Sequence, residues 1–66
     1  MKITVNGRPI DIAEGMDLHR LVYSGKTDPK RVILVLNDGV VKSDEWPLTV
    51  LTDGDRVEMV SFVGGG

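Results

Sequence analysis

The chain's most reactive-looking residues are its last three. Gly64-Gly65-Gly66 follows directly on Val57-Glu58-Met59-Val60-Ser61-Phe62-Val63, a largely β-branched, apolar run suited to a sheet, with no polar linker between. Without a Cβ, the glycines reach φ/ψ combinations closed to other residues and present almost no width to their surroundings. Three extended residues span roughly 10 Å at about 3.3–3.6 Å each, so Gly66 reaches beyond the body of the domain while Val63 stays attached to it. Such a tail fits a narrow cleft, and the working group is then the Gly66 carboxylate, reacting inside a partner. The competing reading is a frayed terminus or a linker remnant. Linker remnants usually carry Ser, His or protease-site residues, and this terminus has none.

Along the same run, Val57 and Met59 share one face of a strand while Glu58, Val60 and Phe62 share the other. The first pair reads as core. Val60 and Phe62, with Val63 beside the tail, are the candidates for a partner-docking patch; the alternative is that both faces are covered within the domain. Gly65 is the residue whose missing side chain lets the penultimate peptide pass, and Gly64 reads as a spacer.

Other chemistry is scarce. There is no cysteine, so disulfides, thiolate metal sites and thiol-based mechanisms in this chain are excluded. With a single histidine, His19, no transition-metal site is expected. His19 points off the apolar helical stripe and reads as solvated. Asp38, Asp44, Glu45, Asp53 and Asp55 sit largely in turn or capping contexts that explain them structurally, and Trp46 reads as core.

These residues must be positioned by a small body. Sixty-six residues make one domain near the lower size limit for a chain without disulfides or metal. We divide it into a domain over residues 1–63 and a glycine tail over 64–66. Hydrophobic content of 41% with 27% charged residues is ordinary for a globular protein. A net charge of −2 offers no basic footprint for nucleic acid. No apolar run approaches the roughly 20 residues of a membrane helix, and the start turns polar too soon for a signal peptide, so a cytoplasmic protein is expected.

Lys2 to Val5 and Arg8 to Ile12 alternate around Asn6-Gly7, the strongest short-range signal for a two-residue type I′ hairpin. Pro9 places the second strand at a sheet edge. Asp17 is a helix N-cap, Leu18, Leu21 and Val22 form one apolar stripe, and Gly25 closes the helix as a C′ residue. Asp28-Pro29 starts a short 3₁₀ piece. Val32 to Leu36 is apolar without alternation, which predicts a central strand buried on both faces. Asn37-Asp38-Gly39 turns into a short Val40-Val41 segment, and Ser43 to Pro47 forms a capped turn that drops Trp46 onto the core. A short strand over Thr49 to Thr52 and a turn at Asp53-Gly54-Asp55 lead into the last strand. The sum is an α+β, two-layer fold: a mixed sheet of four to five strands with one short helix packed on it.

Several of these residues carry a resemblance that covers essentially the whole chain. Val5-Asn6-Gly7, Gly15 before Asp17-Leu18, Val35-Leu36-Asn37, Ser43-Asp44-Glu45-Trp46, and above all Leu51-Thr52-Asp53-Gly54-Asp55-Arg56-Val57-Glu58 leading to Phe62-Val63-Gly64-Gly65-Gly66 look like the ThiS family. These are sulfur carriers of thiamine biosynthesis with a β-grasp, ubiquitin-like fold. The glycine terminus is shared with other ubiquitin-like carriers, including the MoaD carriers of molybdopterin synthesis. The resemblance implies parallel first and last strands, side by side in mid-sheet. It also implies a ThiF-like adenylyltransferase partner that uses ATP and Mg²⁺ to activate the Gly66 carboxylate as an acyl-adenylate. A persulfide sulfur donor would then leave a thiocarboxylate at Gly66, from which a ThiG-like thiazole synthase draws sulfide. No bound cofactor, no catalytic side chain in cis and a monomeric free state are expected. The alternatives are a MoaD-type carrier for another sulfur pathway, a ubiquitin-like modifier that joins Gly66 to lysines, and a plain binding module with an idle tail.

Overall fold

Asn6 and Gly7 adopt φ of 51° and 81°, the left-handed pair that a type I′ turn needs. They join β1 (Lys2–Val5) to β2 (Arg8–Asp11), with Ile3 opposite Ile10. The computed structural model describes residues 1–25 and 28–61. Beyond β2 the hairpin is extended by reciprocal bonds between Met1 and Ile12, each 2.8 Å. The helix α1 (Leu18–Ser24) begins at Asp17, whose carboxylate accepts the Arg20 N–H at 2.8 Å and satisfies one of the orphan donors of the first turn. Its stripe of Leu18, Leu21 and Val22 is buried. Gly25 ends it in extended backbone (φ −89°, ψ 176°) rather than as a left-handed C′ glycine, its N–H bonding the Val22 carbonyl at 3.2 Å.

A 3₁₀ turn at Pro29–Arg31, capped by Asp28, feeds β3 (Val32–Leu36). A two-residue turn at Asn37 and Asp38, both at positive φ, returns the chain as β4 (Gly39–Val41). A second 3₁₀ segment, Ser43–Leu48, carries Trp46 into the core, where its indole N–H donates to the Val41 carbonyl at 3.0 Å. The chain then forms β5 (Arg56–Ser61).

The sheet order is β2-β1-β5-β3-β4, with β5 parallel to β1 and antiparallel to β3. Pro9 lies in the edge strand β2, where its missing N–H costs no ladder bond. The helix covers one face, and the core between the layers is Ile3, Leu18, Leu21, Val22, Val32, Leu34, Trp46, Leu51 and Val57.

Two expectations are corrected. The central strand is β5, and β3 is not buried on both faces: Val32 and Leu34 are buried, whereas Ile33 is 45% exposed. A single helix supplies one covering layer, so alternate residues of every strand face outward. The Thr49 to Thr52 segment is not a strand but makes an isolated bridge between Val50 and Asp17, with Leu51 N–H bonded to the Met16 carbonyl at 2.8 Å. It lies against the irregular chain entering the helix, where no ladder can extend.

Candidate functional site

The strand that leads to the glycines occupies the middle of the sheet, and both neighbouring hairpins grip it. The register with β1 stops at Val5 opposite Val57, where the Asn6 N–H donates to the Val57 carbonyl at 2.9 Å. Beyond that point the Asn6 side chain takes over: its Oδ1 accepts the Met59 N–H at 2.8 Å and its Nδ2 donates to the Met59 carbonyl at 3.3 Å. At the other end of β5, Asn37 does the same from the β3 side. Its Oδ1 accepts the Arg56 N–H at 2.9 Å, its backbone N–H donates to the Arg56 carbonyl at 2.8 Å, and its Nδ2 donates to Asp55 at 3.0 Å.

Asp55 anchors that lower end. It is 9% exposed, and its carboxylate accepts the Thr52 N–H at 2.8 Å, the Thr52 hydroxyl at 3.0 Å and the Asn37 amide at 3.0 Å. Burial pushes its carboxyl up, but the bonds from Thr52 and Asn37 outweigh it and hold the group below the ordinary aspartate value. Arg56 is exposed and pairs with Asp38 at 2.9 Å; that bond and the nearby charge raise its already high pKa.

Along β5, Val57 is buried and Met59 half-buried, both packed into or against the core. Val60 faces the other way and is 51% exposed, directly opposite Ile33. Val40, also exposed, follows on β4 on the same outward face, its cross-strand partner being Val35. Of the two readings open for Val60, the exposed one holds. The outward sheet face thus carries an apolar strip of Val60, Ile33 and Val40. Phe62, Val63, Gly64, Gly65 and Gly66 lie outside the described residues.

Lys30 and Arg31 stand at the end of the domain where β5 finishes, whereas Arg8, opposite Val5, is level with Val57. Lys30 and Arg31 precede Val32, the residue opposite Ser61, and Arg8 lines a shallow groove with Val5, Ile10, Leu21 and Met59. Arg31 approaches Asp28 at 3.7 Å, both exposed, a surface contact worth little to stability.

The remaining candidates have structural explanations. His19 stacks on Tyr23, ring centroids 4.2 Å apart, on the helix surface. Asp17 and Asp28 cap helical turns, and Asp53 accepts the Lys2 N–H at 2.8 Å. Among the described residues no group of three His, Asp or Glu side chains is placed to hold a metal ion, and no helix there is long and apolar enough to cross a membrane. Sequence reasoning missed the clamping roles of Asn6 and Asn37 and the burial of Asp55. The first had a partial signal, since asparagine at a positive-φ turn position keeps a carboxamide free for other backbone groups.

A five-strand mixed sheet with one helix across one face, its first and last strands parallel neighbours, defines a β-grasp, ubiquitin-like domain. The profile of the ThiS family matches residues 3–66, and the chain belongs to that family. The crystal structure of a thiamine biosynthesis protein (ThiS) from Geobacter metallireducens superimposes with a TM-score of 0.86 at 33% identity, covering all of both chains. A thiazole synthase from Magnetococcus marinus is 35% identical over the whole chain, which spans only 20% of that protein's length. The sulfur carrier protein ThiS of Escherichia coli is 24% identical, with both chains covered in full.

Proposed function

We propose that this protein is a sulfur carrier of thiamine biosynthesis, not itself an enzyme, whose Gly66 carboxylate is activated and then thiolated by partners in the cytoplasm. The observation that supports this most directly is that the family match runs through Phe62-Val63-Gly64-Gly65 to Gly66. The chemistry requires Gly66 to carry the terminal carboxylate in the working protein.

A carboxylate is a poor electrophile because its charge is delocalised and oxide is a poor leaving group. A ThiF-like adenylyltransferase, with its own ATP and Mg²⁺, would transfer AMP to one Gly66 oxygen and release pyrophosphate. The terminal sulfur of a persulfide attacks the acyl carbon, AMP leaves, and a thiol cleaves the resulting acyl disulfide to give a thiocarboxylate. Its sulfur is the better nucleophile, which suits delivery to a ThiG-like thiazole synthase. The similarity of this chain to one-fifth of a protein named thiazole synthase favours that recipient.

This chain's part is to dock and to present. Val60, with Phe62 and Val63 next along the chain, forms the docking surface, extended by Ile33 and Val40 on the outward face. Gly64 and Gly65 thread the partner's channel. Intact-mass analysis after incubation with the adenylyltransferase, ATP, Mg²⁺ and a persulfide donor tests the proposal. An oxygen-for-sulfur exchange confined to Gly66 is expected. Conjugates of higher mass would instead indicate a protein modifier, and an unchanged mass would sink the carrier reading.

A further inference from the structure

We propose that Asn6 is a positioning residue for the C-terminal tail, serving as a one-residue extension of β1 that holds the last turns of β5 in line before the chain enters a partner. This rests on the carrier reading above. β1 ends at Val5, four residues short of the end of β5 in register, because Val5 pairs with Val57 while β5 continues to Ser61. From Glu58 onward the strand has β3 on one side, with Met59 opposite Leu34 and Ser61 opposite Val32. On the other side the hairpin has already turned away at Asn6-Gly7.

A carboxamide carries the same donor and acceptor as a peptide group. Asn6 uses both on one residue, accepting from the Met59 N–H at 2.8 Å and donating to the Met59 C=O at 3.3 Å, so it satisfies both backbone groups that Met59 turns toward the side β1 has left. Its backbone is at φ 51°, a conformation favourable to asparagine and glycine. The turn therefore aims the side chain along the line that β1 vacates. Met59 lies seven residues before Gly66. Met59 belongs to the strand from which the tail departs, and reaction rates fall steeply with misplacement of the reacting group.

The docking strip does not depend on this clamp, since Val60 and Ile33 are held by the β3 pairing. Loss of the clamp therefore acts on the chemical step inside the complex rather than on docking. Asn6→Gly is the informative variant because glycine keeps the positive φ and removes only the carboxamide. Asn6→Asp retains an acceptor for Met59 N–H but loses the donor to Met59 C=O.

The assay is pyrophosphate release by the ThiF-like adenylyltransferase with the full chain as substrate, together with amide hydrogen exchange at Met59. We expect Asn6→Gly to lower kcat by about tenfold with KM little changed, and Met59 exchange to accelerate. Asn6→Asp should fall between Asn6→Gly and wild type. A merely structural role would lower Tm while leaving the kcat of the folded protein unchanged. Wild-type turnover with an Asn6→Gly kcat equal to it, or unchanged Met59 exchange, overturns this inference alone. Failure of the wild-type chain to be adenylylated overturns the carrier reading and this inference with it.

Discussion

Replacing Asp55 by asparagine tests whether the buried carboxylate organises the start of the tail-bearing strand. Asp55 offers one oxygen to the Asn37 amide and the Thr52 hydroxyl, each at 3.0 Å, and the other to the Thr52 N–H at 2.8 Å. An asparagine can keep an oxygen on only one of these sides; its NH₂ then faces a donor on the other. The Thr52 hydroxyl can rotate to accept, but the Thr52 N–H cannot. Asn37 cannot flip without surrendering the Arg56 N–H. At least one part-buried donor loses its partner, and the charge that strengthened all three bonds is gone. That costs about 1–3 kcal/mol, against a total of roughly 3–10 kcal/mol for a domain of this size. A loss of about 2 kcal/mol corresponds to a fall in Tm of roughly 8–16 °C.

Thermal unfolding followed by circular dichroism at pH 7 reads this directly, and its pH dependence adds a second check. The folded carboxyl titrates below the ordinary value of 3.8. Its contribution is therefore fully present above that value and disappears as the pH falls through the depressed folded value. Asp55→Asn has no such titration, so the gap between the two proteins should close in acid. An Asp55→Asn variant melting within about 2 °C of wild type at pH 7 would refute the assignment.

Other perturbations separate fold from function. Val60→Asp places a charge in the outward apolar strip; stability should change by about 1 kcal/mol or less, while affinity for the adenylyltransferase, read by calorimetry, should drop about tenfold or more. An unchanged Kd would remove Val60 from the docking surface. Gly65→Val should abolish thiocarboxylate formation with no change in Tm, and a normal yield would count against the threaded tail. Trp46→Ala removes a 3% exposed side chain and its bond to Val41. At about 3–5 kcal/mol it should leave much of the protein unfolded at 37 °C by circular dichroism.

The elements governed by neighbouring residues were legible before any fold was known. Asn6-Gly7 forms its hairpin because both residues tolerate positive φ, Pro9 sits at an edge because it cannot donate, and Asp17 caps the helix whose stripe lies one, four and five residues further on. The motifs that resemble the ThiS family belong to the same class, and the family match over residues 3–66 agrees with them; the carboxylate chemistry at the glycine tail is a proposal drawn from the same local pattern. Tertiary structure decided what depends on which face the single helix covers. It turned Ile33 outward from a run that looked buried throughout, and it resolved the two readings of Val60 in favour of exposure. It also brought Asn6 to Met59 across 53 residues of chain and Asn37 to Arg56 across 19. Local pattern reports a residue's own backbone preference; the partner of a side chain is chosen only when distant strands are set side by side, and here that pairing placed the tail's strand at the centre of the sheet, held from both sides.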